Sequence, residues 1–88
     1  QGLEILHLGG GGTIYSFNFK LNLPTTLLEL YLDHNQLTNT AYLEAEEWAT
    51  NQPSFINECT IYFEGNLNSI TGTDLESILL TKNCTILA

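Results

Sequence analysis

One spacing recurs along this chain. In LLELYLDHNQL, Leu27, Leu30 and Leu32 are followed by Asn35 and Leu37. Leu3, Leu6 and Leu8 repeat the three leucines 24 residues earlier, and Gly11 takes the place of Asn35 inside the run Gly9-Gly10-Gly11-Gly12. Ile61, Phe63 and Asn66 repeat Leu30, Leu32 and Asn35 after 31 residues, although Glu58 occupies the leading apolar position. Cys59-Thr60-Ile61 recurs as Cys84-Thr85-Ile86 after 25 residues. A unit of that length cannot bury its own apolar face, so self-similarity at this period predicts stacked copies that share one core.

The spacing within a copy has its own physics. Leu30 and Leu32 alternate with Tyr31 and Asp33, as in a short strand buried on one face. Asn35 sits where the chain turns away, and its amide can replace backbone bonds that the bend destroys. Parallel strands joined by about 20 residues require crossover connections. The predicted fold class is therefore α/β, a short solenoid of about three and a half turns over residues 1–88. Its expected core is Leu3, Leu6, Leu8, Leu27, Leu30, Leu32, Ile61, Phe63 and Ile86.

The connections carry helix signals. Thr73 and Glu76 form a capping box, and Leu75, Ile78 and Leu79 follow as an apolar stripe, with Lys82 near the negative end. This predicts a helix over 74–82. TAYLEAEEWAT predicts a second over 40–50, which Pro53 keeps from continuing. SFNFKLNLP predicts extended or irregular chain, since Pro24 disfavours helix just before it.

Composition narrows the partners. Ten Asp and Glu against two Lys leave a formal charge of −8. That excludes a phosphate-backbone partner and adsorption to an anionic membrane. No apolar run reaches the roughly 18 residues of a spanning helix. The 43% hydrophobic content suffices for a core. There is no Met, and Gln1 is not an initiator, so the expectation is a processed product or a piece of something longer.

The repeat resembles the leucine-rich repeats, L-x-x-L-x-L-x-x-N-x-L, over nearly the whole chain. LPTTLLELYLDHNQLT, followed by YFEGNLNSITGTDLESILLTKNCTILA, is similar to the C-terminal repeat ends of surface and virion structural proteins of Bacteroidetes and their phages. The resemblance implies a non-catalytic module without a cofactor, binding a protein or a glycan or acting as a spacer. It implies a location on a virion or cell surface. The uncapped N-terminal strand would meet the rest of its own polypeptide or neighbouring subunits.

Candidate chemistry is sparse. His7 and His34 have no nucleophile motif beside them, which makes them surface histidines. The glycine run lacks the Lys and Ser/Thr of a phosphate loop and fits a sharp turn. Glu44, Glu46 and Glu47 with Asp33 lack the spacing of a Ca²⁺ loop. Cys59 and Cys84 share a phase in adjacent strands, where parallel side chains are poorly aimed for a disulfide, so a pair of buried free thiols is expected. Asn83-Cys84-Thr85 matches N-x-T and is read as chance.

The outward strand positions hold the binding candidates: Tyr31 and Tyr62 as a flat platform, Asp33 and Glu64 beside them, and His7. A flat pair of rings suits sugar stacking or a protein hot spot. The neighbouring acids favour a neutral glycan or a basic protein patch. The alternative is a small accessory glycan hydrolase acting through Asp33 and Glu64.

Overall fold

A computed structural model describes residues 4–17, 19 and 21–88. Four short strands alternate with connecting segments: β1 Ile5–His7, β2 Glu29–Tyr31, β3 Cys59–Tyr62 and β4 Cys84–Leu87. Helices α1 Asn39–Glu44 and α2 Glu46–Asn51 lie between β2 and β3, and α3 Asp74–Leu80 lies between β3 and β4. The strands form one parallel sheet in sequence order, β1-β2-β3-β4. No helix among the described residues is long and apolar enough to cross a membrane.

The sheet register reproduces the sequence offsets. Leu6 pairs with Leu30, Leu30 with Ile61, and Ile61 with Ile86, which are the 24, 31 and 25 residue steps. This row faces the core together with Leu27, Leu32, Cys59 and Phe63. Tyr42, Trp48, Leu75 and Leu79 of the helices cover it. Alternation sends the neighbouring row, His7, Tyr31, Tyr62 and Leu87, to the opposite side. One face of the sheet is therefore packed and the other meets solvent.

Two expectations about the core are revised. Leu6, Leu8 and Ile86 are only partly buried, because β1 and β4 are outer strands with a neighbour on one side. Leu3 lies outside the described residues. The irregular segment before Pro24 contributes more than connection: Phe17 is buried and packs with Phe19 against Trp48 at centroid distances of 6.0 and 5.0 Å.

The helices follow their caps. The Thr73 hydroxyl accepts from Glu76 N, and the Glu76 carboxylate accepts from Gly72 N at 2.9 Å, one residue earlier than a standard box. α3 stops at Leu80 rather than 82, because Asn83 takes a left-handed φ of 65° and turns the chain into β4. Lys82 reaches across to the Thr50 carbonyl at 3.1 Å, tying α3 to the end of α2. The predicted helix 40–50 is two helices divided at Ala45, which is fully buried. Thr38 caps the first, while the second starts without a side-chain cap.

Candidate binding face

Asn35 and Asn66 hold the turns that carry the face. Asn66 Nδ2 donates to Phe63 O in its own turn at 2.8 Å and to Leu32 O in the preceding turn at 2.9 Å. Asn66 Oδ1 accepts from Asn35 N and Leu37 N at 3.2 and 3.1 Å. Asn35 repeats the arrangement one turn earlier: Nδ2 donates to Leu8 O at 2.9 Å, and Oδ1 accepts from Ile14 N at 3.4 Å. Each amide thus bonds both its own bend and the one before it. Backbone bonds continue the ladder beyond the strands, with Leu32 N donating to Tyr62 O and His34 N to Glu64 O.

Glycines let the turns close. A Cβ on Gly9 would collide with the Asp33 carboxylate and lie 2.9 Å from its backbone oxygen. Gly10 N instead donates to Asp33 O at 2.8 Å. Gly65, at φ +76°, leaves room for the His34 ring, which is itself held at φ 53°. The glycine run is a turn, and its left-handed members are Gly10 and Gly12.

Above these turns stand three rings in register. Tyr31 and Tyr62 stack with centroids 4.2 Å apart and planes 1° apart. His7 stacks on the other side of Tyr31 at 4.2 Å and 12°. The 4.2 Å spacing follows from the strand separation of about 4.8 Å. Both faces of Tyr31 are therefore occupied by neighbouring rings. The expected flat platform is instead an upright stack, which offers ring edges and hydroxyls to solvent. Beyond Tyr62 the next residue of the row is Leu87 of β4.

The surroundings are acidic. The Tyr31 hydroxyl donates to Glu29 Oε1 at 2.7 Å. That bond, reinforced by Tyr62, holds the Tyr31 phenol well above its ordinary pKa of 10.0, so it stays protonated. Asp33 leans over Gly9, and its Oδ2 accepts from His34 Nδ1 at 2.7 Å. Glu64 is exposed. The described cation, Lys82, is engaged at the end of α2. The row of His7, Tyr31 and Tyr62 with Glu29, Asp33 and Glu64 thus presents phenol hydroxyls and carboxylates.

Sequence reasoning missed two contributors. Glu29 lies two residues before Tyr31 on the same strand face and orients its hydroxyl; the i, i+2 spacing was its signal. Gln52 is a fully buried amide: Oε1 accepts from Leu23 N at 2.7 Å and Trp48 Nε1 at 3.1 Å, and Nε2 donates to Leu23 O at 3.0 Å. It fastens the first connection to α2, and nothing in its polar sequence neighbourhood marks it as buried. No group of three or more His, Cys, Asp or Glu among the described residues is placed to hold a metal ion.

Fold and face together define a mixed α/β chain whose parallel sheet covers a core on one side and displays a row of rings on the other. Compared with protein-family models, curated proteins and solved structures, the chain matches none.

Proposed function

We propose that this chain is one module of a leucine-rich-repeat solenoid, and that it binds a basic patch on a partner protein through the outward face of its sheet without catalysing a reaction. It belongs to a surface or virion structural protein and contributes adhesion, receptor recognition or assembly. The register of the rows and the paired asparagine staples support the repeat reading. The stacked His7–Tyr31–Tyr62 row carries the binding reading. A stack this ordered presents aromatic area at little entropy cost, as interface anchors do.

A basic protein is favoured over a neutral glycan because the Tyr31 faces that would stack on a sugar are covered. The acids around the row supply complementary charge instead. The hydrolase reading through Asp33 and Glu64 is less favoured, since the Asp33 carboxylate is engaged by His34.

The test is a double Tyr31→Ala, Tyr62→Ala variant, compared with the parent for attachment to host cells and to the parent particle. Circular dichroism verifies that both are folded. Loss of attachment that is also weakened by added salt supports a basic protein partner. Loss that salt does not affect, together with retention on neutral glycan columns by the parent, would move the assignment to a glycan. Unchanged attachment would make the face an ordinary sheet surface.

A further inference from the structure

Cys59 and Cys84 are direct register partners on β3 and β4, and both point into the buried face as free thiols. We propose that this pair is a two-coordinate site for a soft d10 metal ion of the copper(I) class. Thiolate–metal bonds of about 2.3 Å placed end to end span about 4.6 Å. Neighbouring strands lie about 4.8 Å apart, so register partners whose side chains leave the strands in parallel bring two sulfurs within reach of one such ion. A disulfide instead needs Cβ atoms about 3.5–4.5 Å apart, closer than parallel partners stand.

The surroundings select the class of ion. Zinc requires about four ligands, and no third His, Cys, Asp or Glu joins this pair among the described residues. Two thiolates alone satisfy a soft ion that accepts linear coordination. Access comes from the sheet edge: Cys84 lies on the outer strand and is 8% exposed, whereas Cys59 is fully enclosed. Cys84 Sγ lies 3.9 Å from the Lys82 carbonyl, a contact light enough to give up. Uptake forms two sulfur–metal bonds, releases both thiol protons to solvent, and changes no oxidation state.

The experiment is an anaerobic titration of the reduced chain with copper(I) supplied as its bicinchoninate complex, followed by the loss of that complex's colour. The expected result is one copper per chain with two sulfur neighbours in X-ray absorption. Cys59→Ala or Cys84→Ala should each weaken binding roughly 100-fold or more, because one of two ligands is lost. Copper retained by the double alanine variant would overturn the site, as would a parent chain that takes up none. X-ray absorption on the parent alone decides the matter if the variants do not fold: nitrogen neighbours in place of two sulfurs would also overturn it.

Discussion

Replacing Asn66 by Ala should destabilise the chain more than replacing Asn35, and the bond inventory says why. Asn66→Ala removes the acceptor of Asn35 N and Leu37 N and the donor to Phe63 O. Leu32 O, its fourth partner, keeps a bond from Asn35 Nδ2 at 3.3 Å. Asn35→Ala removes the donor to Leu8 O and the acceptor of Ile14 N, while Asp33 O still accepts from Gly10 N. With each stranded buried group costing about 1–3 kcal/mol, and the lower figure applying where water can reach, the expected losses are about 3–4 kcal/mol for Asn66 and about 2 for Asn35. Gln36→Ala loses a single bond to Gly12 O and should cost about 0.5–1 kcal/mol. Trp48, buried and the only tryptophan, reports unfolding in a urea titration followed by fluorescence. The double variant should cost more than the sum of the singles, because Leu32 O accepts from both Asn35 Nδ2 and Asn66 Nδ2 and loses its last side-chain donor only when both are gone. Equal losses at all three positions would refute the reasoning, since the turns would then not be stapled by asparagine.

Gly9→Ala should cost about 1–3 kcal/mol, because its Cβ meets the Asp33 backbone as well as the carboxylate; a melt unchanged from the parent would contradict the close approach of the two turns. Alkali should unfold the chain progressively. Tyr42 is pushed by burial from 10.0 to about 12, and Cys59 and Cys84 from 9.0 to about 11 and about 12. The unfolded chain then gives up these protons first, so stability falls as pH rises from about 9 to 12 and is insensitive to these groups below that window. A stability that is level across this window in urea melts would count against their burial. The open edge of β1, where Leu6 and Leu8 are only partly covered, should make the isolated chain self-associate in sedimentation despite its charge of −8; a monodisperse monomer at high concentration would contradict this.

The rows were legible because strand pairing in a repeat preserves phase. An offset of 24 between Leu6 and Leu30 is at once a fact of sequence and a register in space. Tyr31 and Tyr62 followed from the same phase, and so did the pairing of Cys59 with Cys84. The upright stacking of the rings was not legible, because ring orientation depends on the strand spacing and on Glu29 holding the Tyr31 hydroxyl. The division at Ala45 carries no local signal: Ala favours helix, and tertiary burial sets the break. Asn83 did carry one. Asparagine tolerates the left-handed region, and at the end of an apolar stripe it marks a helix stop. Gln52 shows the opposite limit, since a polar residue beside Pro53 reads as surface until its bonds to Leu23 and Trp48 are known.

The most direct test of the binding face is site-specific crosslinking in the intact assembly. A photoreactive phenylalanine analogue replaces Tyr62 in one sample and Leu67, exposed in the turn after β3, in another. The account predicts a single crosslinked partner from position 62, identified by mass spectrometry as a protein contributing Lys- or Arg-rich peptides, and none from position 67. Equal labelling from both positions, or none from position 62 in an assembly that still attaches, would contradict it.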